Sequence, residues 1–306
     1  MSSLSLGFTK CACLRILLTC ISLIVTLPVN STSLGGATFI DDFLHAGFVE
    51  IPSSSNIKIF VRSPSKIPLE VVGQSSLQEL LQVTIYIEGD GAAWHSRQIP
   101  PSDPTPKNPI AAYLAQADRH FFVAYLGRPC MYLQAEQLKQ CSAELWSDAR
   151  FGSDALALSN QAIDDLIAYI KERGLLDSPK RYSLNLVGYS GGGVLAALVA
   201  AQRADVACLV TLASPLDIEV WAKLQKVAPL AKSFNPAYPD AKLSQVRQMH
   251  WFGAQDRVVP PQAIGRYRNW SPLLERDQVI QILPNFNHRN YWIRDWPTLK
   301  DKSCLN

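Results

Sequence analysis

The sequence predicts an α/β fold with one mostly parallel, eight-stranded sheet and helices on both faces. Short runs rich in β-branched and aromatic residues recur at 46–51, 56–62, 82–88, 121–126, 183–188, 207–213, 247–252 and 278–283. Helical patterns separate the later runs, and strands that alternate with helices indicate βαβ units and a parallel sheet. No helix separates the first two strands, so we expect them to form an antiparallel hairpin at one edge.

The clearest helical pattern covers residues 156–173 and ends at Gly174. Its apolar residues recur at helical spacing and so share one face. The stretches 62–80 and 99–109 are predicted loops, the second because its prolines favour extended chain. No change of composition marks a second domain, so residues 40–306 are predicted to form a single domain.

Composition and charge exclude several classes of protein. The chain has 306 residues, of which 48% are hydrophobic and 18% charged, with a formal net charge of +3. The apolar fraction is sufficient for a core. A charge this small provides no basic stripe, so no nucleic-acid partner is expected.

The N-terminal segment has the features of a secretory signal. Lys10 and Arg15 precede an apolar run from Ile16 to Leu27, and small residues follow it. The run is shorter than the roughly 20 residues of a membrane span. We predict that residues 1–31 are a cleaved signal peptide and that the protein is secreted or periplasmic. The alternatives are an uncleaved anchor or a lipid attached at Cys20.

Four cysteines follow this segment, and an even number in an exported protein permits disulfides. Cys130 and Cys141 lie 11 residues apart in a loop-like stretch and are the candidate pair. Cys208 begins an apolar run and is interpreted as a small buried hydrophobic residue, whereas Cys304 is too close to the C-terminus to assign. No C-x-x-C spacing occurs, so neither a zinc site nor a redox site is predicted.

The strongest chemical motif is Gly188-Tyr189-Ser190-Gly191-Gly192, between an apolar strand and an Ala-rich helix. A G-x-S-x-G sequence in this context forms a sharp strand-to-helix turn that exposes the serine hydroxyl above the sheet. The alternative is a Gly-rich turn that binds phosphate at the helix N-terminus. The motif has neither the lysine of a P-loop nor a second glycine fingerprint, so Ser190 is predicted to be a nucleophile.

A serine nucleophile needs a base, and in this motif order the base follows the serine. The sequence has five histidines, of which only two follow Ser190. His250 lies inside a strand run, where its ring is expected to point into a face of the sheet. His288 lies in a loop after the last strand and is therefore the predicted base.

The carboxylate that orients this histidine is predicted to be Asp256, which comes directly after the strand 247–252. Functional groups collect at this edge of an open parallel sheet. A helix cap is the alternative role for Asp256. The rival acid is Asp217, which follows the preceding strand.

The order of these motifs resembles the α/β-hydrolase family. The resemblance implies a triad of Ser190, Asp256 and His288 and an oxyanion hole of two backbone N–H groups. One group belongs to Gly191, and alignment of the loop after the third strand assigns the other to Asp90, with Gly91 as the alternative. This loop departs from the family pattern, because Glu88 replaces a histidine.

Two carboxylates beside a developing oxyanion are electrostatically unfavourable, so we expect Arg128 to form an ion pair with Glu88 or Asp90. Many family members insert a cap domain between the sixth and seventh strands, but the gap here, 214–246, holds only one predicted helix (216–226), so no large cap domain is expected. Trp94, Tyr189 and Trp146 are candidate substrate-binding residues, although aromatic residues also occupy cores.

The sequence therefore predicts an exported serine hydrolase that cleaves carboxylic esters through an acyl-enzyme intermediate. A peptidase or thioesterase with the same triad, or a non-catalytic binding protein, are the alternatives. No metal or organic cofactor is implied. The expected partner is a small-molecule or lipid-like ester, with membrane association through the N-terminal segment only.

Overall fold

One sheet contains eight strands in this computed structural model. They are β1 Val49–Ile51, β2 Ile59–Arg62, β3 Leu81–Ile87, β4 Phe122–Leu126, β5 Tyr182–Tyr189, β6 Val206–Leu212, β7 Arg247–Gly253 and β8 Ile280–Leu283. Their order in the sheet is β1-β2-β4-β3-β5-β6-β7-β8. β2 is antiparallel to its neighbours β1 and β4. The other six strands, β4, β3, β5, β6, β7 and β8 in sheet order, are parallel to one another. The predicted sheet and its antiparallel edge hairpin are confirmed.

The structure describes residues 34–62, 81–92, 99–174, 182–238, 240–270 and 279–305. The predicted signal segment, Trp94 and most of the predicted loop 62–80 lie outside these ranges. No helix within them has the length and hydropathy of a membrane span.

Helices cover both faces of the sheet, as predicted. The described α-helices are α1 Leu34–His45, α2 Ile110–Ala117, α3 Ala135–Leu138, α4 Ser153–Glu172, α5 Gly191–Gln202, α6 Ile218–Gln225, α7 Tyr267–Trp270 and α8 Trp292–Asp301. Residues of α4 and α5 pack in the apolar core on one face. Residues of α1, α2 and α8 pack in a second core on the other face. α1 was not predicted, although its Phe39 and Phe43 are buried against the sheet.

The central strands are buried on both faces, which explains their nearly continuous apolar sequences. In β5, Leu184 and Leu186 point into one core, whereas Val187 and Tyr189 point into the other. In a parallel sheet the carboxyl ends of the strands meet at one edge, so the loops after β3, β5, β7 and β8 all begin at that edge. Asp90, Ser190, Asp256 and His288 lie in these loops.

The segment between β6 and β7 contains α6 and a short 3-10 helix, Leu243–Gln245, among its described residues. It forms no large cap domain, as expected. Asp217 caps α6 by accepting a hydrogen bond from the Val220 N–H.

The described part of the chain contains two disulfides. Cys130 is bonded to Cys141, as predicted, and Cys208 is bonded to Cys304. The interpretation of Cys208 as a simple buried hydrophobic residue is therefore wrong. Its side chain points from β6 towards the face that α8 covers, and the chain beyond α8 returns Cys304 to it. A contact over 96 residues of sequence has no local signature.

Candidate active site

Ser190 lies at the sharp turn between β5 and α5. Its backbone has φ 52° and ψ −126°, which a non-glycine residue adopts only at a cost of about 1–3 kcal/mol. The flanking glycines are required by close approach. A Cβ on Gly188 would lie 2.3 Å from the Gly193 Cα, and a Cβ on Gly192 would lie 2.3 Å from the Ile87 carbonyl oxygen. This is the geometry that a strained nucleophile turn requires.

His288 and Asp256 meet at the same edge of the sheet. His288 Nδ1 lies 2.8 Å from Asp256 Oδ2, and the Asp256 side chain is fully buried. Asp256 Oδ1 accepts hydrogen bonds from the N–H groups of Val258 and Val259, each at 2.8 Å. The turn and the imidazole thus use different oxygens of one carboxylate. The helix-cap alternative is not observed, because the 3-10 helix that follows, Pro261–Ile264, has Pro260 at its N-cap and no side-chain cap hydrogen bond.

Tyr189 fixes the loop of His288 beside the turn of Ser190. The Tyr189 hydroxyl donates a 2.6 Å hydrogen bond to the His288 carbonyl oxygen, and the two rings lie 5.3 Å apart. The Trp292 indole N–H donates to the same carbonyl oxygen at 3.1 Å. No hydrogen bond joins the Ser190 hydroxyl to the His288 imidazole, both of which the structure describes. Catalytic hydrogen bonds often tighten only when substrate is bound.

The rival residues have other partners. His250 is buried, with Nδ1 2.9 Å from Thr211 Oγ1 and Nε2 3.0 Å from Gln248 Oε1. Burial lowers the pKa of His250 from 6.5 to about 3, so its ring is neutral at physiological pH. Asp217 is also buried, and it accepts a 2.9 Å hydrogen bond from Arg266 Nε. Neither residue is hydrogen-bonded to His288.

The loop after β3, residues 88–92, lies against the turn of Ser190, and we call it the oxyanion loop. A Cβ on Gly89 would lie 3.1 Å from the Tyr189 ring and 3.4 Å from Ser190 Cβ. The Asp90 N–H donates no hydrogen bond to any described residue. Gly191 begins α5, where the first N–H groups of a helix lack intrahelical acceptors. The assignment of Asp90 and Gly191 as oxyanion donors stays a prediction that these positions support.

The expected ion pair joins Arg128 and Asp90, whose Nη1 and Oδ1 atoms are 2.8 Å apart. Arg150 Nε lies 2.9 Å from Asp90 Oδ2, a second pairing that the sequence analysis missed. Arg150 lies three residues before the start of α4, and no sequence motif distinguishes it from a surface arginine.

Glu88, the first residue of the oxyanion loop, is buried and belongs to a separate hydrogen-bonded cluster. Its Oε1 accepts a 2.8 Å hydrogen bond from the Gly89 N–H, and its Oε2 accepts one of 3.2 Å from the Tyr125 hydroxyl. The Tyr125 and Tyr132 hydroxyls are 2.9 Å apart. Burial raises the pKa of Glu88 from 4.5 to about 7, although these hydrogen bonds lower it. Glu88 is therefore partly protonated near neutral pH.

The predicted substrate-binding residues differ in their surroundings. Tyr189 is 6% exposed and is engaged with His288, as described above. Trp146 is 4% exposed, and its indole N–H donates to the Pro101 carbonyl oxygen at 3.1 Å. Contact of either residue with substrate stays a prediction. Within the described ranges, no three His, Cys, Asp or Glu side chains cluster as metal ligands would.

No protein-family model matches the chain, and no curated protein matches it. Among solved structures it is similar to XC6422 from Xanthomonas campestris, a serine hydrolase without a lid, at 13% identity and a TM-score of 0.46, over 83% of this chain and 93% of that one. It is similar to Est1E from Butyrivibrio proteoclasticus at 12% identity and a TM-score of 0.45, over 83% of this chain and 96% of that one. A puromycin-hydrolyzing peptidase from Mycobacterium tuberculosis matches at 12% identity and a TM-score of 0.47, over 79% of this chain and 35% of that one.

The family resemblance of the motifs and the observed architecture agree. The eight-stranded sheet has one antiparallel edge hairpin, the serine turn joins β5 to α5, and the acid and histidine follow β7 and β8. The chain has the α/β-hydrolase fold.

Proposed function

We propose that the protein is an exported serine hydrolase that cleaves carboxylic esters through an acyl-enzyme intermediate. The observation that carries this proposal is the strained Ser190 turn at the same sheet edge as the His288–Asp256 pair. A fold can host many functions, so the proposal rests on the site rather than on the architecture.

The reaction begins when His288 Nε2 removes the proton of the Ser190 hydroxyl and Oγ attacks the ester carbonyl. The backbone N–H groups of Gly191 and Asp90 bind the negative oxygen of the tetrahedral intermediate. Asp256 accepts the hydrogen bond of His288 Nδ1, which holds the ring and stabilises the imidazolium. His288 then donates its proton to the departing alcohol, and the acyl group remains on Ser190.

The second half repeats these steps with water. His288 removes a proton from water, the hydroxide attacks the acyl carbon, and Ser190 leaves with the proton that His288 returns. The products are a carboxylic acid and free enzyme. Every proton transfer in this scheme uses one imidazole, so a single histidine at this edge is sufficient.

Two features support an ester substrate and export. The described residues between β6 and β7 form no large cap domain, and a site without such a cap suits large or varied leaving groups. Two disulfides fit a protein that folds in an oxidising compartment, as the predicted signal in residues 1–31 requires. Peptidase and thioesterase activities remain alternatives because they pass through similar tetrahedral intermediates.

A substrate panel tests the proposal. Wild-type protein, Ser190→Ala and, as a control, Ser153→Ala at an exposed serine are assayed with p-nitrophenyl esters of increasing acyl length, a matched thioester and peptide p-nitroanilides. We expect the esters to give the highest kcat/KM, with activity lost only in Ser190→Ala. Faster cleavage of the anilide would indicate a peptidase. Wild-type rates no higher than the uncatalysed background on every substrate would indicate a binding protein, whereas equal rates of wild type and Ser190→Ala above that background would indicate a different nucleophile.

A further inference from the structure

The oxyanion loop carries the Asp90 carboxylate, and each of its two oxygens contacts a different arginine. Asp90 Oδ1 lies 2.8 Å from Arg128 Nη1, and Asp90 Oδ2 lies 2.9 Å from Arg150 Nε. Both arginine side chains are 2% exposed, whereas the Asp90 side chain is 19% exposed. Arg128 donates a charge-assisted hydrogen bond to one oxygen, whereas Arg150 Nε forms an ion pair without hydrogen-bond geometry with the other, so an opposite charge lies beside each oxygen.

The same carboxylate packs against the residue that follows the nucleophile. A Cβ on Gly191 would lie 1.9 Å from Asp90 Oδ1 and 2.4 Å from its Cγ. The carboxylate thus fills the space that a larger side chain at position 191 would need. The side chain of one proposed oxyanion donor, Asp90, therefore contacts the other, Gly191.

The arginines are themselves anchored. Arg128 Nη2 donates a 2.6 Å hydrogen bond to the Arg150 carbonyl oxygen, and Arg150 Nη1 donates one of 3.0 Å to the Ser147 carbonyl oxygen. The two guanidinium groups lie 5.2 Å and 5.3 Å from the centre of the Phe151 ring. Both arginines lie in the segment between β4 and α4, which also contains the Cys130–Cys141 disulfide. The segment that carries the two arginines is thus fixed by backbone hydrogen bonds, ring contacts and a disulfide.

We propose that Arg128 and Arg150 are positioning residues, which hold the Asp90 carboxylate against Gly191 and thereby fix the oxyanion loop relative to Ser190. The inference rests on the proposed hydrolase function. Displacement of a catalytic group by about 1 Å can cost about 100-fold in rate, so a braced loop has a direct catalytic value.

A purely structural ion pair would behave differently. Loss of one partner from a buried pair strongly destabilises the fold, because it leaves the other charge buried and unpaired. Such a loss lowers the fraction of folded protein but leaves the kcat of the folded fraction unchanged. Transition-state binding measured in folded protein therefore distinguishes the two roles. Replacement of a positioning residue weakens it, whereas replacement of a purely structural residue leaves it unchanged.

The test compares Arg150→Gln and Arg150→Lys with wild type. Arg150→Lys keeps a positive charge but loses the planar, stacked geometry, and it serves if Arg150→Gln does not fold. The control is Arg203→Gln, because Arg203 also pairs with two carboxylates, Asp164 and Asp205, but lies at the opposite end of α5 from Gly191. All variants are assayed well below the midpoint temperature of their thermal unfolding, and the concentration of active sites is determined by active-site titration.

We expect kcat for a p-nitrophenyl ester to fall about 10–100-fold in the Arg150 variants, with KM within about 2-fold of wild type. The affinity for an arylboronic acid, which forms a tetrahedral adduct with Ser190, should fall in parallel, and Arg203→Gln should match wild type. Unchanged kcat and boronate affinity in folded Arg150 variants would overturn the inference while the hydrolase proposal stands. A wild-type protein that hydrolyses no substrate would instead overturn the proposed function, and the inference with it.

Discussion

Replacement of Glu88 by glutamine is expected to remove a pH-dependent loss of stability. Glu88 is 1% exposed, and its two oxygens accept hydrogen bonds from the Gly89 N–H and the Tyr125 hydroxyl. Glutamine has the same shape. Its oxygen replaces Oε1, and its amide nitrogen faces the Tyr125 hydroxyl, which is able to accept a hydrogen bond and to donate one to Tyr132. The substitution therefore removes the charge with little change in packing.

The magnitude follows from the pKa. Burial raises the pKa of Glu88 from 4.5 to about 7, so the folded protein retains a proton that the unfolded chain has lost between these values. In that window the free energy of unfolding falls by about 1.4 kcal/mol per pH unit, since the folded state binds more protons. The contribution of the Glu88 proton to the free energy of unfolding is therefore fully present below pH 4.5. Above pH 7 the free energy of unfolding is lower by about 3 kcal/mol because this contribution is lost. Glu88→Gln lacks this loss.

The assay is urea unfolding of wild type and Glu88→Gln between pH 4.5 and 8.5, followed by the fluorescence of the seven tryptophans. Subtracting the two curves cancels the titration of all other groups. We expect the difference in unfolding free energy to move by about 3 kcal/mol in favour of the variant as the pH rises. The control is Glu136→Gln, whose side chain is 82% exposed, and it should show no comparable slope. A pH-independent difference for Glu88→Gln, or a slope of the opposite sign, would refute the reasoning.

Three further predictions concern the site and its scaffold. Asp256→Asn should lower kcat for an ester by about 10⁴-fold, because the His288 tautomer is then wrong; steady-state kinetics checks this. Gly191→Ala places a Cβ 1.9 Å from Asp90 Oδ1 and should cost about 100-fold in kcat, whereas Gly127→Ala, whose Cβ would meet only ordinary contacts from 3.5 Å, should retain wild-type kcat. The double variant Cys208→Ser, Cys304→Ser opens a 96-residue loop and should lower the urea-unfolding free energy by about 5 kcal/mol. Unchanged kcat in either site variant, or unchanged stability without the disulfide, would contradict the corresponding prediction.

The parts of the structure that the sequence predicts well depend on local patterns and chain order. The strand before Ser190, its glycines and the helix after it are contiguous, so their periodicity and steric requirements lie within about 20 residues of sequence. Asp256 and His288 are far from Ser190 in sequence, but each follows a strand, and the carboxyl ends of parallel strands meet at one edge. Chain order and the position after a strand favour His288 over His250, whereas Asp217 also follows a strand, so the choice of Asp256 over Asp217 depends on the observed Asp256–His288 contact.

The features that were missed depend on contacts between distant segments. Arg150 reaches Asp90 across 60 residues, and Cys208 reaches Cys304 across 96. Neither residue carries a local pattern that distinguishes it from a surface arginine or a buried cysteine. Helix α1 was missed for a related reason, since its Phe39 and Phe43 are ordered by packing on the sheet rather than by a strong helical period.

The most direct test of the account is covalent labelling with a fluorophosphonate, which reacts only with a serine that a neighbouring base activates. Wild-type protein is treated with the probe, digested and analysed by mass spectrometry, beside Ser190→Ala and His288→Asn. The account predicts one label per chain on Ser190, none in Ser190→Ala and a much slower reaction in His288→Asn. A wild-type chain that stays unlabelled, or a label that persists when Ser190 is replaced, would contradict it.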